Sequence, residues 1–508
     1  RVYKIVETNP LYITSDIADL TITSDNTLDV SVNERYLAHS PGAYISEWGW
    51  NDEVEQSVYE PGLIQTEVEI KKNKSKSIPF LISNRQDLYK MMNYKDLIKQ
   101  RNSLELKRSQ IYSDSALGSM ARTMFSFYNH SNIGSGFFAG FPWFQSYWGR
   151  DSGQIIVAMS NLGMWDEVKR SLLTLARYEK NGVIPNTLYL SGVPTYNSSD
   201  SSPFFIIALH HYVSYSKDYK TLEQLMPKVN RILERGEKLI RNGMMPSNPG
   251  ETWMDTLNRQ GYCIDIQSLW AEAFLRAADL DNKKHVSIAN SLIKSINSVF
   301  WKDGYFMDII GSISRRPNVL FPLFFGHIEK DKAIAALSVL ESEEFTSSAG
   351  IRSLSSRDAN YNPRAYHDGN VWGLLTGMMC HSEFVYDRTK QGFKYLNIIK
   401  KNLGIRCVDS VDEVYDGNTG FPLGCMSQAW SLSPIIKTVD EMILGINPDT
   451  NDNIIFQPKI SPEMNLERKS MRIGNDVIDI SFSDGYFRIS GLKENHLKAR
   501  TNYRVEVV

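Results

Sequence analysis

An acid that follows a tryptophan is the most informative feature of the sequence. Asp255 lies two positions after Trp253 in the segment GETWMDT, a polar stretch just before an apolar helical pattern. An apolar wall raises the pKa of a carboxyl group, and an indole ring packs on the face of a pyranose. These residue types therefore predict a general acid that acts on a sugar.

A second cluster of acids lies in the loop from residue 409 to 424. It contains Asp412, Glu413 and Asp416 within five positions, and this spacing does not match a calcium-binding EF-hand loop. Such a cluster is also typical of a solvated turn. Hydrolysis of a glycosidic bond needs two carboxyl groups, one as acid and one as base. A carboxyl group from this loop would complete the pair if the loop faces Asp255.

The loop PWFQSYWGRD, residues 142–151, offers aromatic rings and a pair of opposite charges. A carboxylate that accepts sugar hydroxyls beside a guanidinium that donates to others grips a terminal pyranose, while aromatic faces pack on its C–H surface. Asp151 equally suits the N-cap of the following helix, and Asp200 has the same two interpretations. The predicted sugar contacts are Tyr147, Trp148, Arg150, Asp151, Asp200, Trp253, Arg259, His367, Trp372, Gln428 and Trp430.

Composition and missing motifs exclude several classes of protein. The 56 basic and 58 acidic residues give a net charge of −2, so no nucleic-acid or anionic membrane partner is expected. No apolar run reaches the ~18 residues of a membrane span, and P-loop, GxGxxG, GxSxG and HExxH motifs are absent. The four cysteines are scattered and His367 lacks a second His or Cys nearby, so neither a metal nor a cofactor is predicted. The protein is expected to be cytoplasmic, and its oligomeric state is not predicted.

The chain divides into regions of different periodicity. Residues 1–86 alternate apolar and polar positions between turn signals, which predicts an antiparallel β domain. Residues 87–114 are charged and helix-favouring, as expected of a linker helix. Short strand patterns return in residues 445–508 and predict a small β appendage without identifiable chemistry.

Twelve helical segments fill residues 115–444, and two kinds of helix alternate among them. Amphipathic segments rich in Lys and Glu lie near 116–130, 165–180, 221–242, 283–301, 330–341 and 386–403. More apolar segments lie near 151–163, 201–216, 265–279, 317–326, 369–381 and 425–441. Because apolar helices must be enclosed, the pattern favours six inner helices within six outer ones, an (α/α)6 barrel. A solenoid of helical hairpins is the alternative.

Taken together, several short motifs between residues 115 and 445 resemble the amylo-α-1,6-glucosidase domain of glycogen debranching enzymes, a family of inverting (α/α)6-barrel glycosidases. Their order and spacing carry the resemblance more than any single motif does. The motifs are Pro142-Trp143 with Gly149-Arg150-Asp151, Ile184-Pro185-Asn186, Tyr196-Asn197-Ser198-Ser199-Asp200, Thr252-Trp253-Met254-Asp255, Arg316-Pro317-Asn318, Tyr366-His367-Asp368-Gly369 with Val371-Trp372, Glu413-Val414-Tyr415-Asp416-Gly417, and Gly424-Cys425 with Gln428-Ala429-Trp430-Ser431.

The resemblance implies roles for individual residues. Asp255 matches the general acid of the family and Glu413 its general base. Arg150, Asp151 and Asp200 match the residues that hold the terminal glucose. The family usually has Glu, Asn and Pro at the positions of Asp265, Gln267 and Asn258. These departures concern the leaving-group side of the pocket, and hence the preferred linkage.

The function implied is that of an inverting, exo-acting hydrolase that releases single glucose units from α-glucans, with α-1,6 branch stubs of glycogen-type substrates as the expected target. No second barrel for glucan transfer is present in the sequence, so debranching would be direct hydrolysis. A glucoamylase-like α-1,4-glucosidase, a trehalase and a glucosylglycerate-type hydrolase fit the same pocket. A glycan-binding scaffold without activity is the non-enzymatic alternative, although it would not need two opposed acids.

Overall fold

The computed structural model describes residues 110–280 and 285–508, together with six strands and four isolated helical positions nearer the N-terminus. The chain forms two compact units, Arg1–Lys107 and Arg108–Val508. The described strands of the first unit pair in antiparallel fashion, as two sheets with the orders β1-β2-β3-β6 and β4-β5. This pairing confirms the antiparallel prediction. The strands are β1 (Lys4–Thr8), β2 (Leu11–Thr14), β3 (Leu20–Thr23), β4 (Asp29–His39), β5 (Gln56–Gln65) and β6 (Leu81–Ser83).

The predicted linker helix over residues 87–114 falls mostly outside the described residues. Its last five positions are described, and they are not helical. Tyr112 instead forms a β-bridge with Arg468, and the carboxylate of Asp114 accepts the backbone N–H of Leu117 at 3.0 Å as the N-cap of the next helix. A capping Asp must lie outside the helix that it caps, so the linker ends before residue 114.

Twelve α-helices are described in the second unit. The odd-numbered helices correspond to the amphipathic segments, and the even-numbered ones to the apolar segments. The helices are α1 (Ser115–Met124), α2 (Gly149–Asn161), α3 (Trp165–Arg177), α4 (Ser201–Ser216), α5 (Tyr219–Leu239), α6 (Ile264–Leu280), α7 (Val286–Val299), α8 (Leu320–Phe324), α9 (Lys330–Glu341), α10 (Gly373–Val385), α11 (Thr389–Asn402) and α12 (Ala429–Lys437).

The even-numbered helices form a closed ring. Each packs against the next, from α2 through α4, α6, α8 and α10 to α12, and α12 packs back against α2. A solenoid would leave its first and last helices apart, so the architecture is an (α/α)6 barrel. Sequence explains which helices lie inside, because α4 has apolar residues on every side and is buried along most of its length. In contrast, α5 keeps a charged exposed face.

Two segments differ from their predicted extents. The first outer helix ends at Met124 rather than near residue 130, because a 3-10 turn (Phe125–Phe127) leads into a hairpin between β7 and β8. The inner helix predicted over 317–326 contains one 3-10 turn, Pro317–Val319, followed by the short α8. The last inner helix extends beyond α12 as a π-helical segment, Thr438–Ile443.

Short strands tie together the loops that connect the helices. Most important is a five-stranded antiparallel sheet, β15-β16-β17-β18-β19, which joins the loop before α10 to the loop that contains Glu413. The strands are β7 (Tyr128–Ser131), β8 (Gly134–Phe137), β9 (Gly140–Phe141), β10 (Tyr147–Trp148), β11 (Thr187–Leu188), β12 (Pro194–Thr195), β13 (Trp301–Lys302), β14 (Tyr305–Phe306), β15 (Thr346–Ser347), β16 (Gly350–Arg352), β17 (Val371–Trp372), β18 (Val414–Tyr415), β19 (Pro422–Leu423) and β20 (Ser427–Gln428).

The C-terminal strands form two sheets, β21-β22-β26 and β23-β24-β25-β27, in which β22 pairs with β26 and β25 with β27 in parallel. Their edge contacts the barrel through Arg468, which is 1% exposed, forms an ion pair with Asp440 at 3.3 Å and donates to the carbonyl of Asn161. The strands are β21 (Ile446–Pro448), β22 (Ile454–Phe456), β23 (Leu466–Ile473), β24 (Asp476–Ser483), β25 (Tyr486–Ser490), β26 (Leu497–Ala499) and β27 (Arg504–Val507).

No helix among the described residues is long and apolar enough to cross a membrane. Within the same residues, no group of three or more His, Cys, Asp or Glu side chains is arranged to hold a metal ion.

A buried histidine makes the barrel sensitive to acid. His381 on α10 packs against the ring of Phe324 with centroids 4.2 Å apart, and burial together with the charge of Lys437 lowers its pKa to about 3. The folded protein keeps this side chain neutral, whereas the unfolded chain takes up a proton near pH ~6.5. As the pH drops from about 6.5 toward 3, the unfolded state therefore binds a proton at His381 and the folded state does not. The free energy of unfolding should fall over the same range.

Substituting His381→Gln should therefore flatten the loss of Tm between about pH 6.5 and 4, as measured by differential scanning calorimetry. His496→Gln, at a partly exposed histidine of the C-terminal sheets, is the control and should leave the slope unchanged. A slope in the His381 variant equal to that of the wild type would contradict this explanation.

Candidate active site

The first residues of the inner helices contribute most of the predicted sugar contacts. Arg150 and Asp151 lie in the first turn of α2, and Asp200 immediately precedes α4. Trp372 and Gln428 precede α10 and α12 in the same way. The side-chain amide of Gln428 donates to Asp151 at 3.5 Å. This contact joins the first and last inner helices, so residues far apart in sequence meet at one end of the barrel.

Helix capping does not explain the two aspartates. Trp148, not Asp151, is the N-cap residue of α2. Asp200 does occupy the N-cap position of α4, but its side chain makes no capping hydrogen bond. Its carboxylate accepts the hydroxyl of Ser198 and pairs with Arg150 instead. Both carboxyl groups therefore face the site rather than their own helices.

Arg150 is the centre of the site. Its side chain is 2% exposed, and its guanidinium contacts Asp200 at 3.0 Å, Asp255 at 2.8 Å and the amide oxygen of Asn186 at 3.1 Å. Burial alone would lower the pKa of Arg150, but the charges of Asp200 and Asp255 outweigh burial and raise it. A permanently charged guanidinium thus holds three different loops in one arrangement.

Glu413 is buried at the same end of the barrel, with 1% of its surface exposed. One carboxylate oxygen accepts the phenol hydroxyl of Tyr366, and the other accepts the backbone N–H of Cys425 at 3.0 Å. Burial raises the pKa of Glu413 to about 7, against the lowering effect of these two donors, and the charge of Asp255 contributes to the rise. Glu413 and Asp255 are therefore close enough to affect each other.

Asp151 belongs to the same electrostatic group. Burial raises its pKa well above the usual range, Arg150 opposes the rise, and the charges of Glu413, Asp200 and Asp255 add to it. The carboxyl groups of Asp151, Asp200 and Asp255 thus act on the charge of Arg150, and Glu413 acts on Asp151. Such a cluster in a cleft is typical of an active site.

Asp255 differs from the sequence-based expectation in its surroundings. Its side chain is 31% exposed and accepts a hydrogen bond from Arg150, so it lies beside a charged group and is partly open to solvent. The ring of Trp253 is only 3% exposed, and its N–H donates to Asn318 at 2.8 Å. Burial raises the pKa values of the Glu413 and Asp151 carboxyl groups, which are 1% and 3% exposed. The site is therefore closed at Glu413 and open to solvent at Asp255.

Aromatic side chains from several of the site loops pack against one another. Trp253 packs edge-to-face against Trp372 and Trp430 at centroid distances of 5.2 and 6.5 Å, and His367 stacks on Trp372 at 5.1 Å. Trp372 is 1% exposed and donates to the carbonyl of Tyr366, so it has no open face for a sugar. Trp253 and Trp372 are therefore packed within this cluster, and their role as sugar contacts stays a prediction.

Two other predicted sugar contacts, Tyr147 and Arg259, use their polar groups within the protein. Tyr147 is fully buried, and its hydroxyl bonds to Asn129 and to the carbonyl of Gly134. Arg259 uses all five of its N–H groups within the protein; they donate to Asp265, Asp308 and Thr252. Neither side chain has a group left for a hydroxyl of the substrate, and both support the loops of the site.

Other predicted contacts do keep free polar atoms. The indole N–H groups of Trp148 and Trp430, one ring nitrogen of His367 and the amide oxygen of Gln428 are buried without a hydrogen-bond partner among the described residues. Buried polar groups in proteins are normally paired. These atoms can therefore hydrogen-bond a substrate with hydroxyl groups.

Several site residues were not identified from the sequence. Asn186 and Tyr366 lie within the motifs that carry the family resemblance, yet no pattern indicates their partners Arg150 and Glu413, which are 36 and 47 positions away. Their position inside motifs was the one available signal. Asn318, the partner of Trp253, also lies in such a motif.

Arg406 is another residue that the sequence did not single out. It forms an ion pair with Asp412 and donates to the carbonyls of Leu423 and Gly424. These contacts tie the segment before Glu413 to the segment just before Cys425, whose N–H contacts the Glu413 carboxylate. Arg406 therefore fixes the geometry on both sides of that carboxylate.

The hydrogen bond from Tyr366 leads to a testable pH effect. The phenol stabilises the charged form of Glu413, so Tyr366→Phe should raise the pKa of Glu413 further. If the ionised carboxylate is the active form, the acidic limb of kcat/KM should move by about 1–2 pH units to higher pH, the effect of one hydrogen bond to a charged group. The measurement is a pH profile of kcat/KM.

Tyr415→Phe is the matched control for this profile. Tyr415 lies two positions after Glu413, and its buried hydroxyl has no hydrogen-bond partner among the described residues. Its removal should leave the acidic limb where it is. An unmoved limb in the Tyr366 variant, or equal movement in both variants, would contradict a direct role of the Tyr366 hydroxyl.

The site joins a buried carboxyl group and a solvent-facing one with an arginine and further acids, at one end of an (α/α)6 barrel. This combination is the kind that glycoside hydrolases use. Within that class, residues 120–437 match the family described as amylo-alpha-1,6-glucosidase, and the chain belongs to this family.

Individual relatives match only short stretches. The glycogen debranching enzyme of Saccharomyces cerevisiae is 34% identical over 94 residues, which cover 17% of the chain and 6% of the yeast enzyme. The glucosylglycerate hydrolase of Mycolicibacterium hassiacum is 28% identical over 122 residues, 23% of the chain and 26% of that enzyme. The chain thus spans about a quarter or less of the curated relatives that it matches.

Solved structures share the fold over a larger part of the chain. A bacterial glucoamylase complexed with acarbose superimposes with a TM-score of 0.62 at 16% identity, covering 85% of the chain and 72% of the glucoamylase. The GH63 mannosylglycerate hydrolase of Thermus thermophilus gives a TM-score of 0.53 at 13% identity, covering 63% and 99% of the two chains. Identities this low support the barrel architecture alone.

Proposed function

We propose that the protein is an inverting, exo-acting glucosidase that releases single glucose units from α-glucans, with α-1,6 branch stubs of glycogen-type substrates as its main target. Asp255 is the general acid and Glu413 the general base. The observation that carries this proposal is the contrast between the two carboxyl groups, since Asp255 is 31% exposed and Glu413 is 1% exposed.

The contrast supports one side of the scissile bond for each group. The rest of a glucan must extend toward solvent, so the acid that protonates the departing oxygen belongs at the open side, where Asp255 lies. The base must hold a single water beneath the sugar, so it belongs at the closed side with Glu413. Two donors to the Glu413 carboxylate stabilise the charged form that a base needs. Inversion requires the two groups to be roughly 6.5–9.5 Å apart.

The buried charges at the closed end fit a terminal sugar. Arg150 can donate to hydroxyl groups, while Asp151 and Asp200 can accept from them. The free N–H group of Trp430 and the free oxygen of Gln428 extend this set. An internal sugar of a chain would need openings on two sides, and the burial of Glu413 counts against an opening at its side. This geometry supports release of one sugar at a time from a chain end.

A glucosylglycerate-type hydrolase is the second candidate. It is favoured by the similar stretch in the Mycolicibacterium enzyme and by the departures from the family pattern at Asp265 and Gln267. Asp265 binds Arg259, and Gln267 exchanges two hydrogen bonds with the backbone of Met245. Both residues therefore support the loop that carries Asp255. The departure from the family pattern at these two positions hence concerns the leaving-group side of the pocket and not the residues that hold the terminal sugar.

A panel of substrates distinguishes these candidates. We expect kcat/KM to be highest for glucans with single α-1,6-linked stubs and for panose and isomaltose, and lower for maltose, trehalose and glucosylglycerate. Highest activity on glucosylglycerate would replace the first candidate by the second. Activity on none of these sugars would contradict both.

A further inference from the structure

A second cavity of about 640 Å³ lies inside the barrel, away from the catalytic residues. All six inner helices line it, mostly with residues beyond their first turns, and the loop after β21 forms part of its wall. None of the residues that line it belongs to the acid, base or sugar-holding set described above. Its volume is in the range of small-molecule binding sites, roughly 300–1,000 Å³.

The lining of the cavity includes aromatic and charged side chains. Phe204, Phe321 and Phe324 contribute apolar ring surface. Glu272 and Glu441 are 3% and 6% exposed. Such a lining differs from the apolar core that closes most helical bundles.

Each of these buried carboxylates has a basic partner. Glu272 forms an ion pair with Arg276 at 2.6 Å, and Glu441 forms one with Lys437. Burying a carboxylate costs desolvation energy even when it is paired, which apolar side chains would not cost. An unfilled cavity costs packing energy as well. The chain keeps both features at this end of the barrel, where apolar side chains of larger volume would be more stable. A bound ligand is a reason for the chain to keep both the buried charges and the cavity.

Charge balance limits the kind of ligand. Because each buried charge already has a partner, an ion entering the cavity would add a charge with no buried partner, which burial penalises. The Glu272 carboxylate has about four acceptor sites and accepts from Arg276 and His327. Glu441 already accepts from Asn161, Tyr215 and Lys437, but an ammonium has three N–H donors, of which Lys437 uses one for Glu441. Within the described part of the chain, acceptor sites on Glu272 and donors on Lys437 are therefore unused. Hydroxyl groups can use these sites without adding charge, and the C–H face of a sugar ring packs well on aromatic rings.

We propose that this cavity binds a neutral, hydroxyl-rich small molecule, a mono- or disaccharide, independently of the catalytic pocket. The ring of the sugar packs on the side of Phe204, Phe321 and Phe324. Its hydroxyl groups bond to the Glu272–Arg276 and Glu441–Lys437 pairs. The barrel thereby has one saccharide site at each end.

Equilibrium dialysis of labelled glucose against the intact protein tests the proposal, since glucose cannot be hydrolysed. We expect two molecules per chain. Ser214→Met fills the second cavity, which Ser214 lines, and should remove one of them. Asp200→Asn weakens the catalytic pocket and should remove the other. Val157→Phe, on the neighbouring helix α2, replaces Ser214→Met if that variant does not fold, as judged by its circular dichroism and melting curve.

The outcomes separate this proposal from the proposed function. One glucose per chain that is lost only with Asp200→Asn, or no binding at all, would overturn the second site. One glucose that is lost only with Ser214→Met would support the second site and count against the catalytic pocket. In the Asp200→Asn protein, glucosamine and glucuronate should bind at least tenfold more weakly than glucose. Tighter binding of either charged sugar would overturn the assignment to a neutral ligand.

Discussion

Replacing Glu413 with Gln should lower kcat by about 10²–10⁴-fold, the usual contribution of a general base. The amide has the size of the carboxylate but cannot take a proton from water. KM should change only a few-fold, because the residues proposed to hold the sugar are untouched. The measurement is kcat and KM on panose or isomaltose, with folding checked by melting temperature.

Azide gives this variant a second readout. Azide attacks without losing a proton, so it needs no base and fits the space left by the water. We expect added azide to restore turnover of α-glucosyl fluoride by Glu413→Gln and to yield β-glucosyl azide. Near-normal hydrolysis without azide would contradict the assignment of Glu413 as the base. An α-azide product would contradict attack from the face opposite the leaving group.

Replacing Asp255 with Asn should lower kcat/KM by about 10²–10⁴-fold on isomaltose and far less on α-glucosyl fluoride. The departing sugar oxygen needs a proton, whereas fluoride leaves without one. The ratio of kcat/KM for the two substrates therefore isolates proton donation from every other effect of the substitution. The value of kcat/KM for α-glucosyl fluoride divided by that for isomaltose should rise strongly.

Glu251→Gln is the matched control for this ratio. Glu251 is an acid in the same loop, and its carboxylate accepts the hydroxyl of Ser199 and the amide of Asn248. Any effect of its replacement on the loop should lower kcat/KM equally for both substrates. Equal losses on both substrates in the Asp255 variant would show that Asp255 holds the substrate or the loop but does not donate the proton.

Periodicity is sufficient to predict which helices of the second unit lie inside and which lie outside. Helices such as α4, apolar on every side, must be enclosed, and helices such as α5, with one charged face, must not be. The alternation of the two kinds therefore predicts two concentric rings. Closure of the inner ring depends on packing between the first and last inner helices, which no local pattern contains.

The site was predictable only in part, and Arg150 and Arg259 show why. Both are arginines close to an aspartate in a loop before an inner helix. In the structure Arg150 joins carboxylates that face the open site, whereas every N–H of Arg259 is used inside the loop that it supports. Residue type can be read from the sequence, but the number of donors left free depends on partners from other loops.

Tryptophans posed the same difficulty. Trp253 and Trp148 both lie beside charged residues, which favours a sugar platform for each. Trp253 is enclosed by Trp372 and Trp430 and bonded to Asn318, while the N–H of Trp148 has no partner within the described part of the chain. Burial decides whether a tryptophan packs inside the protein or offers a face to a sugar, and burial depends on how distant segments pack.

Proton NMR of the first sugar released from an α-linked substrate tests the roles of Asp255 and Glu413 most directly. Spectra are recorded within the first minutes of reaction with isomaltose or panose, before the anomers equilibrate. If Glu413 directs water to the face opposite the departing oxygen, the β-anomer of glucose appears first and the α-anomer follows by mutarotation. Initial release of α-glucose would mean retention of configuration and would contradict a single displacement by water.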